Sequence, residues 1–230
     1  IETQPQGKSF RHDELSFLFY TALRRFGLDV DILPPHADFS GYDLITVPCL
    51  PMISPQTVAA LKDSGANLVI GPRTGSKTKD LHVPSNLAPG PLSALIPLTI
   101  PRVESLRPGH VERADGFSVT RWLEHVDTDL TPLYRLQSGH GLAYTHQKTT
   151  YLNAWPDPLL LDALIARTLR ARGEPATHLP PALRVRRRGD LAFVFNYGPD
   201  SQDLTGLIEG TLIRGPRHLP PADIAIFRQR

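Results

Sequence analysis

Between Tyr42 and Gly71 the chain carries an apolar run, a capped amphipathic segment and a second apolar run, and that order leaves few folds open. Tyr42-Asp43-Leu44-Ile45-Thr46-Val47 is short enough to be a strand buried on both faces. Ser54-Pro55 then opens a helix, with serine at the N-cap and proline at the first helical position, running through Val58 and Leu61 to Gly65. Asn67-Leu68-Val69-Ile70 reads as a second buried strand ending at Gly71. Two strands joined this way lie parallel with a right-handed crossover, so the N-terminal part of the chain is α/β.

Helical periodicity also marks Asp13–Phe26, where Leu15, Leu18, Phe19, Ala22, Leu23 and Phe26 form one apolar stripe. Asp13 and Glu14 suit the positive end of its dipole, Arg24 and Arg25 the negative end, and Gly27 stops it. Val30-Asp31-Ile32 reads as a short strand before a Pro-Pro turn. From Pro84 to Leu152 helical signals fade, and Gly116–Val119 and Gly141–Thr145 alternate like short strands between long loops, as a content of 23 prolines suggests. A last helix is expected from Pro158 to Arg172, capped by Asp157, with Leu160, Leu161, Leu164, Ile165, Thr168 and Leu169 buried. Gly173–Pro181 reads as a linker. Beyond it Leu183–Arg187, Leu191–Asn196, Gly210–Ile213 and Asp223–Phe227 read as strands of a small antiparallel β module. The expected domains are therefore residues 1–174, built on a parallel sheet, and residues 175–230, all β.

A net charge of +2 and a 40% apolar content describe a folded chain, not a disordered one or a dedicated nucleic-acid binder. No apolar run approaches the ~18 residues of a membrane span. One cysteine excludes an intrachain disulfide and disfavours a Cys-based zinc site, and it fits a reducing, cytoplasmic setting. The polar opening stretch Ile1–Gln6 has no initiator Met, so the chain is expected to be a piece of a longer polypeptide.

Gly71-Pro72-Arg73-Thr74-Gly75-Ser76-Lys77-Thr78 carries the most chemistry. It nearly spells a phosphate-binding loop, but Ser76 stands where backbone amides need a second glycine, and prolines, not a helix, follow Lys77. An anion loop at Arg73–Lys77 and a mobile loop both remain open, whereas Ser76-x-x-Lys79 is a chance match to an acyl-enzyme motif. Gly71–Gly75 also has the spacing of a nucleophile elbow, with Arg73 at the centre, and a guanidinium stays protonated and cannot attack. Cys49 follows a strand but is flanked by Pro48 and Leu50-Pro51, which suits a buried structural thiol better than a nucleophile. His140 and His146 could meet on neighbouring strands but lack a ligand pattern. The arginines from Arg167 to Arg188 have no aromatics interleaved, so solvated faces or a domain contact explain them better than nucleic acid does. Trp122 and Trp155 read as core or interface anchors. No catalytic constellation stands out.

Several segments together resemble the carboxyl-terminal part of glycoside hydrolase family 42 β-galactosidases. They are Ala22–Pro35, Ser40–Leu44 leading into Val47-Pro48, Gly71–Lys77, Val185–Leu191 and Leu219–Pro221. The resemblance implies a flavodoxin-like middle domain, similar in fold to class I glutamine amidotransferases and serving trimerisation, followed by a small β domain. It places the two catalytic glutamates in an upstream (β/α)8 barrel. It thus implies no catalytic residue, metal or cofactor here, a galactoside substrate met only through the barrel, and self-association as a homotrimer without nucleic-acid or membrane partners. Gly71, Arg73, Gly75 and Lys77 become a degenerate elbow. The alternative is an anion or small-molecule binding module, and a hydrolase built on Cys49 is a third reading. The resemblance also implies a strand upstream of Ile1, inside the sheet, whose loss would leave backbone groups unpaired.

Overall fold

The computed structural model describes residues 8–229, so the polar opening stretch lies outside the described residues. The chain divides into two compact units: residues up to Phe19 with Leu33–Leu164, and Tyr20–Ile32 with the residues from Ile165 onward. Helix α1 (His12–Arg25) is divided between them and buries Leu15, Phe19, Ala22 and Leu23 along the expected stripe.

In the first unit β1 (Leu44–Val47), α2 (Pro55–Asp63) and β2 (Asn67–Ile70) follow in the order the sequence dictates. The strands are parallel in the register Leu44↔Asn67 to Val47↔Ile70. The Ser54 side chain accepts a 3.0 Å bond from the Thr57 amide, a cap that contributes ~1 kcal/mol. The larger contribution comes from Val58 and Leu61, buried against Leu68 and Ile70; full burial stabilises such a side chain by ~1.5–3 kcal/mol. A long connection then leads to a 3-10 turn at Gly90–Ala94.

Two sheets complete this unit. β3 (Thr99–Ser105), β4 (Glu112–Ala114) and β5 (Phe117–Asp127) pair as β3-β5-β4. β6 (Pro132–Arg135), β7 (Gly141–His146) and β8 (Thr149–Tyr151) extend the first sheet to the order β1-β2-β8-β7-β6. β8 is parallel to β2, whereas β7 and β6 run antiparallel, so the expected parallel sheet is a mixed one. β9 (Ala154–Pro156) pairs with β5, and α3 (Pro158–Ala171) follows, with the Asp157 carboxylate accepting from Leu160 N at 2.8 Å. β1 bonds β2 along one edge and has no other strand partner among the described residues.

The second unit is built on an antiparallel sheet, β10 (Leu183–Arg188), β11 (Leu191–Asn196), β13 (Thr211–Arg214) and β15 (Ile224–Arg228), ordered β10-β11-β15-β13. β12 (Gln202–Asp203) and β14 (His218–Leu219) form a separate pair. Val185, Val194, Leu204, Leu219 and Phe227 make its core.

One expected strand is corrected. Val30–Ile32 forms no strand, and Ile32 is 86% exposed: a β-branched run needs a partner strand to hold its hydrogen bonds. Arg24 closes the last turn of α1 as expected, and its side chain turns inward. It is 5% exposed and donates to Leu28 O and, at 2.6 Å, to Val185 O. Gly173–Pro181 connects α3 to β10 without helix or strand, as a linker would, and is anchored at Leu179, whose N donates to Arg25 O at 2.7 Å and whose side chain packs on the β-module core.

Candidate functional site

β2 ends at Ile70, and the backbone turns sharply through Gly71–Gly75. A Cβ on Gly71 would lie 2.1 Å from Pro48 O, and one on Gly75 would lie 1.9 Å from Pro89 O, so both positions need glycine for close approach. At the apex Arg73 adopts φ 65°, a left-handed conformation that a non-glycine residue holds only where its surroundings enforce it. Thr74 Oγ1 donates to Gly71 O at 2.9 Å and accepts from Leu50 N at 3.2 Å, tying the turn to the segment after β1.

The backbone amides of this turn point to internal acceptors. Arg73 N donates to Glu124 Oε1 at 2.8 Å, Gly75 N to Leu50 O at 3.0 Å and Lys77 N to Pro51 O at 2.9 Å. Residues 71–75 are buried and Lys77 is half-buried. The reading of Gly71–Thr78 as a mobile loop is therefore corrected for its first part: Gly71–Gly75 is buried and its backbone is tied to the segment after β1 and to Glu124.

The Arg73 side chain is 6% exposed, its guanidinium 4.6 Å from the Trp122 ring and 4.8 Å from the Phe10 ring. Its Nη1 is buried without a hydrogen-bond partner. Beside it Glu124 is 1% exposed. Oε1 of Glu124 accepts from Arg73 N and from Trp122 Nε1 at 3.2 Å, and Oε2 accepts from Tyr151 Oη at 2.7 Å. Burial still pushes the Glu124 carboxyl upward, against those donors and the Arg73 charge. The same burial, with Glu124 next to it, pushes the Tyr151 phenol well up. Burial lowers the Arg73 guanidinium, with the negative neighbours opposing.

Cys49 is buried close by, and desolvation pushes its thiol up to about 12, opposed by the Arg73 charge. A thiol held protonated is a poor nucleophile, so the geometry favours the structural reading of Cys49. Asn153 orders the same region: its side chain accepts from Ala143 N at 2.9 Å and donates to Glu124 O at 2.8 Å.

The sequence-predicted site residues are thus contiguous in one turn, but their partners come from elsewhere: Glu124 and Trp122 from β5, Tyr151 from β8, Phe10 from just before α1. Sequence reasoning missed Glu124, Tyr151 and Asn153. The one signal available was a carboxylate directly after the apolar pair Trp122-Leu123. His140 packs its ring edge-on to His125 at 4.3 Å, and His146 ends β7. Among the described residues no group of three potential metal ligands converges. No helix there is long and apolar enough to cross a membrane. Of the arginine-rich stretch, Arg187 donates to Gly27 O at 2.7 Å and lies 3.5 Å from Asp29, so on the surface of the second unit it ties β10 to the segment after α1.

A mixed-sheet α/β domain followed by a small antiparallel β domain, with a buried arginine at the turn after β2, is the two-domain arrangement the chain presents. The chain belongs to the family 42 β-galactosidases. Residues 1–173 match the β-galactosidase trimerisation domain and residues 182–229 the β-galactosidase C-terminal domain. A β-galactosidase of Thermus thermophilus is 40% identical over 99% of this chain and 36% of its own length. The crystal structure of the β-galactosidase from the psychrophilic Marinomonas ef1 has a TM-score of 0.90 at 33% identity, over 99% of this chain and 35% of that one. The β-galactosidase from the Antarctic haloarchaeon Halorubrum lacusprofundi has a TM-score of 0.84 at 28% identity, over 98% of this chain and 37% of that one. The chain spans about a third of the length of the relatives it matches.

Proposed function

We propose that this chain is the scaffold and subunit-contact portion of a longer β-galactosidase that assembles as a homotrimer. In this reading the domains are residues 1–174 and 175–230. Terminal β-galactosides are hydrolysed with retention by two carboxylates of an upstream barrel, and no residue of this chain touches the substrate. The carrying observation is that the matched portion is a trimerisation domain followed by a C-terminal domain, together about a third of enzymes named β-galactosidases.

The first domain is read as flavodoxin-like, of the amidotransferase kind, with Gly71–Gly75 as a degenerate elbow. In support, β1, β2 and β8 run parallel, and Arg73 holds a strained φ at the carboxyl end of β2. An anion site at the Arg73–Lys77 loop gains no support, because Glu124, Leu50 and Pro51 already accept from the amides of Arg73, Gly75 and Lys77. The unpaired thiol of Cys49 supports a cytoplasmic setting.

A chromogenic galactoside tests the reading. The 230-residue chain is expected to give no hydrolysis above buffer, while the polypeptide extended upstream turns the substrate over. Enzyme-level turnover by the 230-residue chain alone would overturn it.

A further inference from the structure

The connection between β2 and the Gly90–Ala94 turn behaves as two halves. The first, Gly71–Gly75, is buried in the cluster around Glu124. The second presents apolar side chains outward: Leu81 and Val83 are each 59% exposed and Leu87 is 39% exposed. Met52, at 49%, belongs to the β1–α2 connection, which is tied to this one through the Lys77 N to Pro51 O bond.

Single exposed leucines are ordinary, whereas apolar side chains gathered on one fixed tip mark a contact surface. This tip is fixed. Thr78 N donates to His82 O at 2.8 Å, Leu81 N to Thr78 O at 3.0 Å and Leu87 N to Pro84 O at 2.9 Å, with Pro84 buried between the exposed positions. Leu81 and Leu87 both hold φ 63°, a conformation unfavourable for a leucine. Strained backbone that turns apolar side chains toward water is a poor arrangement for an isolated subunit. It is a pre-organised one for a surface that becomes covered.

We infer that the Thr78–Leu87 tip, with Met52 beside it, is a contact by which one copy of this chain docks on the next. The inference rests on the trimerisation reading above and adds to it the surface that carries the contact. The second copy is the committed occupant because the tip lies inside residues 1–173, the segment that matches a trimerisation domain. A closed ring of three uses heterologous contacts, so the tip seats on a different face of its neighbour, not on another tip.

The test is sedimentation velocity on the 230-residue chain and on Leu81→Asp/Val83→Asp, with circular dichroism to show that both are folded. Amide exchange of residues 78–87 is followed across protein concentration. The unsubstituted chain is expected to sediment as a trimer, with exchange at the tip slowing as the trimer fills. The double variant is expected to be folded and monomeric, with at least tenfold weaker association. A folded double variant that remains fully trimeric, or exchange at the tip that ignores concentration, would overturn the assignment of this surface while leaving trimerisation standing. An unsubstituted chain that stays monomeric at every concentration would overturn the trimerisation reading itself and this inference with it. Protection of the tip only in the longer, monomeric polypeptide would assign it to another segment of the same chain, and also refutes the contact between copies.

Discussion

Exchanging the buried charges of Arg73 and Glu124 singly and together tests how the cluster is held. Arg73→Met keeps an unbranched chain between the Phe10 and Trp122 rings and removes the unpartnered Nη1. It also removes from Glu124 a positive charge that acts without direct ion contact, so the expected loss is ~1–3 kcal/mol, that of a buried polar group deprived of a partner. Glu124→Gln keeps the shape. The amide oxygen can accept from Arg73 N and Trp122 Nε1, and the amide nitrogen can donate to Tyr151 Oη. It takes the opposing negative charge from the buried Arg73, with a loss of the same ~1–3 kcal/mol. The double exchange removes both charges and retains the hydrogen bonds. Replacing a buried pair with neutral groups of similar shape is often neutral or stabilising, so the double variant is expected to be more stable than either single one. Urea unfolding followed by tryptophan fluorescence, at one fixed protein concentration because association shifts stability, reads all four states. If the double variant loses the sum of the single losses, about 2–6 kcal/mol, the two charges do not compensate each other and the coupling between them is refuted. A pH signature accompanies this. The Glu124 carboxyl is raised from its ordinary 4.5, so the folded chain binds that proton more tightly than the unfolded one. Its contribution is therefore present at low pH and is lost as pH rises past 4.5, a slope that Glu124→Gln should abolish.

Four further outcomes are expected. Gly75→Ala drives a Cβ against Pro89 O at φ +71°, so it should lose ~3 kcal/mol or more in chemical denaturation, while Gly116→Ala, with open space around it, loses only ~1 kcal/mol. His125 is lowered from its ordinary 6.5 by burial, then by His140 and Arg102, which together outweigh Glu104 at 3.0 Å; stability should hold above pH 6.5, fall as pH drops below it, and fall less in His140→Gln. Cys49, with its thiol pushed up to about 12, should react with a disulfide reagent far more slowly in the folded chain than in urea, and equal rates would remove it from the core. Ser54→Ala removes the cap on α2 and should cost ~1 kcal/mol by thermal or urea unfolding.

What the sequence made legible was local. α1, α2 and α3 announce themselves because a helix closes its hydrogen bonds within itself and shows its buried face at a fixed period. The stripe that begins at Leu160 falls on buried positions throughout, and so does the one that begins at Leu15 except at the half-buried Leu18. β5 was legible only at Gly116–Val119, yet it runs to Asp127. Its pairings slip between Thr120 and Leu123, Arg121 holds φ 62°, and Trp122, Leu123 and Glu124 are buried in succession, so the alternation that signals a strand is broken where the strand matters most. Val30–Ile32 failed for the complementary reason, since its residue types favour a strand but no local feature supplies the neighbour a strand requires.

The candidate site divides along the same line. The Gly71–Gly75 spacing and the cation at its apex were readable, because close backbone approach demands glycine at fixed offsets. The counter-charge was not, because Glu124 lies 51 residues away and reaches the turn only when β5 is laid beside it. The pairing explains how an arginine can stand at this apex at all. An isolated guanidinium in that volume would carry an uncompensated desolvation cost. The two rings flank it, and a carboxylate oriented by Trp122, Tyr151 and the amide of residue 73 itself balances its charge. The turn and its counter-charge are therefore one unit: the backbone conformation that lifts Arg73 also aims its amide at Glu124. Arg73→Gly would relieve the φ strain and keep the amide bond while deleting the cation, so it should still destabilise the fold, by less than Arg73→Ala. Relief without any loss would show that the charge at the apex has no structural part.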